Sequence, residues 1–428
     1  MERYTEYKDS GVKWLGDIPS HWEIRRTKYL WKETDDRSDF GSEQLLSVSQ
    51  YDGVRESQSD SRSESLKGYK IVKQENLVIN IMLAWLGGLG VSKHEGIVSP
   101  AYCVYRLQDA QNPHYLHYLY RTPLYLAEFA RHSTGIVPSR WRMYTADFGE
   151  VLTILPPIEE QNRMVEYLDA ATTKIDEAIG QQQKMIDLLN ERKQIIINNS
   201  ITKGLDYKVK MKGSGVDLLG EIPEHWEVKK LKHVCQAFGR IGFRGYSTTD
   251  LVDEGEGCIT LSPSNMYDGK MQYNKCTYLS WEKYEESPEI KIFNGDILFV
   301  KTGSTYGKCS LVQNLPLEAT INPQLLVFKR ILCNNEFLAY VLQTRFIKTQ
   351  VELSVIGGTI PTISQQKILN YVFPHPPIAE QIAIVHDIKK KCAPLNDAIK
   401  VSEEQISLLQ ERKQIIINDV VTGKFKVV

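Results

Sequence analysis

The sequence offers nothing with which to cross a membrane. Apolar runs such as Leu77-Val78-Ile79 and Ile195-Ile196-Ile197 fall far short of the roughly 20 residues a bilayer demands. Its opening, MERYTEYKDS, is charged and lacks the apolar stretch of a secretory signal, so a cytoplasmic location is expected. The seven cysteines (Cys103, Cys235, Cys258, Cys276, Cys309, Cys333 and Cys392) are odd in number and scattered, with no CxxC pair. Reduced, packed thiols follow, rather than a disulfide frame or a zinc site. His114 and His117 form an HxxH, but within a Tyr-rich helical pattern that has no acidic neighbour, so they read as packing residues. An excess of one charge is missing too, with 52 Lys and Arg against 53 Asp and Glu. A chain that holds DNA alone usually shows a clear basic excess. Either this one does not bind DNA, or it does so through local patches with help from a basic partner.

Catalytic motifs are equally scarce. A methyltransferase needs a Gly-rich cofactor loop and an Asn/Asp-Pro-Pro-aromatic box; neither is present, and Leu86-Gly87-Gly88-Leu89-Gly90, though Gly-rich, follows no clean strand–helix frame. Gly303-Ser304-Thr305-Tyr306-Gly307-Lys308-Cys309 resembles a phosphate loop. It has three residues between its glycines instead of four, and Cys where a magnesium-binding Ser or Thr belongs. The carboxylates of a metal-dependent nuclease would have to come from Pro288-Glu289-Ile290-Lys291 or from Asp253, Glu254 and Glu256. The first reads as a turn before a strand and the second as a solvated Gly-rich loop.

The chain does contain an internal duplication. SGVKWLGDIPSHWEIRRTK, starting at Ser10, recurs without a gap as SGVDLLGEIPEHWEVKKLK from Ser214, an offset of 204 residues. LPPIEEQ, ending at Gln161, recurs as HPPIAEQ, ending at Gln381, and LLNERKQIIIN from Leu188 recurs as LLQERKQIIIN from Leu408, both at an offset of 220. Between these blocks the halves scarcely match, apart from the echo of Gly135-Ile136-Val137-Pro138 in Gly358-Thr359-Ile360-Pro361. A period this long is domain duplication, since solenoid repeats run to about 20–50 residues. The 428 residues thus divide into a globular domain over 1–157, a long helix over 158–206, a second globular domain over 207–377, and a second long helix with a tail over 378–428.

The helices are read from periodicity. Val165, Leu168, Ile175, Ile179, Ile186, Leu189 and Ile196 recur at steps of three, four or seven, as do Val385, Ile388, Leu395, Ile399, Ile406, Leu409 and Ile416. Gly180 weakens the first helix without ending it, Pro394 should kink or break the second, and Gly204 and Gly423 suit helix ends. Two such stripes in one chain should pair as an antiparallel coiled coil about a pseudo-twofold axis. The globular parts read as α/β or α+β. Strands are expected over 77–81, 101–107, 151–155, 297–300, 325–329 and 371–373, helices over 115–131 and 336–351, and Gly-rich connections over 87–96, 240–246 and 303–307.

The residues suited to nucleic acid lie between the repeated blocks. Arg131, His132, Ser139, Arg140 and Arg142 surround Trp141 with no acid among them. Lys301, Thr302, Ser304, Thr305, Tyr306 and Lys308 form a similar mixture in the second half, joined by Arg240, Arg244 and Thr359. Arginine forks onto guanine edges, while hydroxyls and cations hold phosphates. Ordinary surface charge is the plain alternative for any one of them.

Two divergent domains, each opened by GxIPxHWE and followed by PPIxEQ and a helix ending in LLxERKQIIIN, resemble the specificity subunits of type I restriction-modification enzymes. The resemblance covers the whole chain. It implies two target-recognition domains that each read one half of a split double-stranded DNA site, with paired helices as a spacer that docks two methyltransferase subunits. Motor-nuclease subunits are further partners that it allows. It also implies that S-adenosylmethionine, ATP and magnesium belong to those partners, leaving no cofactor, metal or catalytic residue here. A coiled-coil adaptor that binds proteins instead of DNA is the alternative.

Overall fold

The computed structural model describes residues 2–51, 53–57, 66–137, 141–206, 208–355 and 361–427. They form two compact units, one of residues 1–183 with 403–428 and the other of residues 184–402.

The first unit is built on an antiparallel four-stranded sheet in the order Trp31–Thr34, Tyr102–Leu107, Leu77–Asn80, Leu89–Val91. Leu77, Val78 and Ile79 are all buried, as a strand covered on both faces requires. The second unit repeats this order as Gln236–Gly239, Leu325–Lys329, Ile297–Val300, Cys309–Leu311, then adds Lys270–Met271 and Met266–Tyr267 at the edge. A smaller pairing also recurs. Glu23–Arg26 lies beside Leu152–Leu155 in the first unit, and Glu227–Lys230 beside Val372–His375 in the second.

Each expected helix of the globular parts is in fact two. Pro113–Tyr120 and Pro123–Arg131 replace the single helix over 115–131. Pro123 has no N–H to continue the ladder, and the Thr122 side chain accepts from the Tyr125 N–H to start a new helix. Asn335–Gln343 and Arg345–Glu352 likewise replace 336–351. Thr344 between them is extended (φ −69°, ψ 156°), and its hydroxyl donates to the Val341 carbonyl at 2.5 Å. The stretch 87–96, expected as a connection, contains the strand Leu89–Val91.

The long helices run from Ile158 to Lys203 and from Ile378 to Val421. Pro394 lies inside the second, which is not broken there. A prolyl residue costs one ladder hydrogen bond, and about seven turns of helix carry on past it.

The repeated blocks meet where each helix begins. Glu160 is buried, and its carboxylate accepts from Trp22 Nε1 (3.2 Å) and the Tyr4 hydroxyl, with His21 Nε2 at 2.8 Å. Gln161 next to it donates to the Pro156 carbonyl and accepts from the Asn112 N–H. In the second unit Trp226 Nε1 donates to Glu380 at 2.9 Å, with His225 Nε2 at 2.7 Å, and Gln381 accepts from the Asn334 N–H. The HW and EQ dipeptides are therefore structural: they tie each long helix to its globular part through charge-assisted hydrogen bonds.

Helix ends use the same tryptophans. Gly204 has φ +72°, and a Cβ there would lie 3.1 Å from the Trp226 ring. Gly423 has φ +79°, and a Cβ would meet Pro19 at 2.6 Å and Trp22 at 3.0 Å. Within the first unit, Lys413 Nζ sits 2.7 Å from both carboxylate oxygens of Asp176. Met164, Val165 and Leu168 share a core there with Ile417, Val420 and Val421.

Candidate nucleic-acid interface

In both units the strand at the heart of the main sheet ends in a loop closed by the same backbone pattern. In the first, Leu77–Asn80 leads into residues 81–88, the Asn80 N–H donates to the Gly88 carbonyl (2.8 Å), and the Met143 N–H donates to the Ile81 carbonyl (3.0 Å). In the second, Ile297–Val300 leads into 301–308, the Val300 N–H donates to the Lys308 carbonyl (2.8 Å), and the Ile363 N–H donates to the Lys301 carbonyl (2.9 Å). Each loop is thus held beside the segment that precedes the last short helix of its globular part. Equivalent frames present different side chains.

In the second unit the loop is polar. Lys301 is half-buried, and burial lowers its pKa below the ordinary lysine value. Its ammonium and the exposed side chains of Ser304 and Thr305 have no partner among the described residues. Lys308 Nζ lies 3.5 Å from the Pro263 carbonyl, and the Thr362 hydroxyl 3.4 Å from that of Thr302. Tyr306 packs partly buried against the core. A cation, several free hydroxyls and no acid from 297 to 317 make a surface on which phosphate oxygens and base edges can be bound.

The phosphate-loop likeness of 303–309 has a different origin. Gly303 and Gly307 take φ +107° and +83°, and a Cβ on Gly307 would lie 3.0 Å from Val351. Cys309 opens a strand, not a helix, so the helix N-terminus that cradles phosphate in such loops is not supplied by the chain that follows. Among the described residues, no group of His, Cys, Asp or Glu side chains is placed to hold a metal.

The first unit's loop is apolar. Met82, Leu83 and Leu86 are exposed, and Trp85 stacks edge-on to Trp141 with ring centroids 5.2 Å apart. Arg142 is exposed, and its backbone pairs with Thr134 in both directions at 3.0 Å. Beneath the loop, Arg121 donates to the carbonyls of Gly87, Leu89, Gln50 and Tyr51 at 2.6–3.0 Å, a buttress for both turns. His117 beside it is half-buried, accepts the Val91 N–H at its Nδ1 (3.1 Å), and is pushed down to a pKa of about 3 by desolvation and then by Arg121. With Nδ1 taken by a backbone N–H, it serves as a neutral packing residue.

The remaining candidates differ in how free they are. Arg131 forks onto Glu128 at 2.6 and 2.8 Å. Arg240 is buried, with its donors taken up inside the fold by the Ile321 carbonyl (3.0 Å), the Thr320 hydroxyl (3.0 Å) and the Arg244 carbonyl (3.3 Å). Arg244 pairs with Glu289 at 3.4 Å. Ser139, Arg140 and Thr359 lie outside the described residues. Two residues that the sequence reading passed over stand beside the polar loop. The Gln324 carbonyl accepts the Lys301 N–H at 2.9 Å, and the Gln324 side chain is exposed and bonded to Asn322. The only sequence signal for them is the Asn-Pro-Gln break between two apolar strands.

Residues 223–407 match the family model described as the type I restriction modification DNA specificity domain. The chain is 27% identical over 285 residues to the type I restriction enzyme MjaVIII specificity subunit of Methanocaldococcus jannaschii, a match that covers 65% of this chain and 63% of that one. With the putative type I restriction enzyme MjaX specificity subunit of the same organism it shares 25% identity over 98% of both chains. The chain is thus similar to type I specificity subunits, over its second half by the family model and over nearly its whole length by the second relative. The fold agrees with this. It superposes, at a TM-score of 0.63 and 18% identity over 95% of this chain and 99% of the other, on a chain solved in a study of complex assembly and conformational transition of the type I R-M system. The first of these relatives is matched over less than two thirds of its length.

Proposed function

We propose that this chain reads DNA for a type I restriction-modification enzyme and leaves the chemistry to its partners. Each globular part reads one half of a bipartite double-stranded site, through the loops 81–88 and 301–308 and the segments hydrogen-bonded to them. Arg142, Lys301, Thr305 and Lys308 are the reading side chains among the described residues, with Ser139, Arg140 and Thr359 beyond them. The observation that carries this reading is the pairing of one backbone frame, closed by the same hydrogen bonds, with two unlike sets of loop side chains. Identical frames with different contents suit a site whose halves differ in sequence.

The long helices are the spacer, paired as an antiparallel coiled coil about a pseudo-twofold axis. The Lys413–Asp176 ion pair supports this, because it joins the late part of one helix to the early part of the other. Their outer faces are the docking surface for two methyltransferase subunits. Val401, Leu408 and Ile415, and separately Leu188 and Ile195, stand exposed at seven-residue spacing, apolar side chains that a partner would cover. S-adenosylmethionine, ATP and magnesium then belong to the methyltransferase and motor-nuclease subunits.

Hydroxyl-radical footprinting of the chain assembled with its methyltransferase tests this reading. Two protected blocks separated by a fixed gap are expected. A complex that assembles but protects no DNA would mark the chain as a protein-binding adaptor.

A further inference from the structure

The two loops differ in what they can recognise. Most polar backbone groups of the loop 81–88 are already used within it. The Met82 N–H donates to Asn80 Oδ1, the Leu83 N–H to the Asn80 carbonyl, the Leu86 and Gly88 N–H groups to the Leu83 carbonyl, and the Gly87 N–H to the Ala84 carbonyl. The indole N–H of Trp85 is taken by the Met82 carbonyl at 3.2 Å. Outward the loop shows Met82, Leu83 and Leu86, at 42%, 38% and 40% exposure, with hardly a donor or acceptor among them. The loop is also stiff. A Cβ on Gly88 would meet Leu83 Cβ at 2.6 Å, so the turn closes tightly on itself, and Trp141 backs Trp85.

DNA, rather than a protein, is the occupant that the surroundings favour. No Asp or Glu lies between residues 76 and 94 or between 129 and 146, the two stretches that meet here. Arg142 stands exposed next to Trp141 with no side-chain partner among the described residues. The equivalent loop of the other unit, closed by the same hydrogen bonds, carries Lys301, Thr305 and Lys308. A protein-docking patch would not need to stay free of acids and keep a basic counterpart in the duplicated frame. On a duplex, the apolar feature that base edges present in the major groove is the thymine 5-methyl group.

We infer that Met82, Leu83 and Leu86 read thymine through its 5-methyl group, so the first globular part selects A·T pairs by apolar contact while the second reads its half-site by hydrogen bonds. This rests on the DNA-reading proposal above and names the chemistry of one of its halves.

The test uses the chain assembled with its methyltransferase and a duplex bearing the sequence that the complex methylates. Each thymine in turn is replaced by deoxyuridine, which removes the methyl group and keeps the pairing. In the wild type, at least one replacement in one half-site should weaken binding about fourfold, the worth of one buried methyl, and replacements in the other half should change nothing. With Met82, Leu83 and Leu86 together changed to alanine, thymine and deoxyuridine duplexes should bind alike in that half-site. The footprint over the other half should persist, which confirms a folded complex.

Any one of the following results would overturn the inference. One is a wild type indifferent to every replacement. Another is a triple variant that keeps the discrimination. The third is a triple variant whose weak binding is restored by an abasic site, since that identifies an unstacking wedge, or one that fails to hold the methyltransferase, which identifies a protein contact. A wild-type complex that prefers no sequence at all would instead remove the DNA-reading proposal.

Discussion

Gly204 and Gly423 end the two long helices in the left-handed region, each against the tryptophan of a repeated HW dipeptide. A side chain at positive φ costs about 1–2 kcal/mol before any clash. Gly423→Ala must also displace Pro19, whose nearest atom would be 2.6 Å away, whereas Gly204→Ala meets Trp226 at 3.1 Å. Both should lower the melting temperature of the purified complex, Gly423→Ala by more. Equal melting curves for Gly423→Ala and wild type would show that the helix end does not depend on this packing. His117 yields a pH dependence. Its folded pKa of about 3 lies below the ordinary 6.5, so only the unfolded chain takes up a proton between those values. The stability is intact above pH 6.5 and is lost as pH falls toward 3, by at most about 1.4 kcal/mol per pH unit. Thermal melts between pH 8 and 5 should therefore slope less steeply in His117→Gln than in wild type. At this scale the sequence was only partly legible. The HW and EQ pairs announced themselves by recurring, but Arg240 looked like its neighbour Arg244. What separates them is the carbonyl of Ile321 and the hydroxyl of Thr320, some 80 positions away, which no local pattern reveals.

Among the elements, the long helices were legible because their apolar positions repeat every three, four or seven residues over more than forty residues. The strands Ile297–Val300 and Leu325–Lys329 were as plain, as short apolar runs between turn residues. The paired short helices were not. Thr122-Pro123 is a stop and a start in two residues, and Thr344 breaks its helix by turning its hydroxyl back on the Val341 carbonyl. Periodicity runs straight across both. Pro394 pointed to a kink or a break, and the helix runs through it without a break. Helix pairing is open to a direct check. With Asp176→Cys and Lys413→Cys in one chain, a short bifunctional thiol reagent should close a cross-link, because the native side chains already meet within the first unit. A chain that never cross-links there, while Asp176→Cys bridges a cysteine placed near the start of the second helix, would contradict antiparallel pairing.

For the whole molecule, the duplication explains both what recurs and what does not. The sheet order, the loop closure and the docking of Glu160 and Glu380 are held in common, while the loops differ in polarity. If sequence information resides in what differs, exchanging residues 30–155 for those of another specificity subunit should alter one half of the recognised sequence only. Exchanging 234–373 should alter the other half only. Methylome sequencing of a host that expresses the chain with its methyltransferase, and then each exchange, reads this out directly. The account predicts a methylated motif of two specified parts around an unspecified gap of fixed length, with one part changed by each exchange and the gap unchanged. A continuous motif, or an exchange that alters both parts at once, would contradict it.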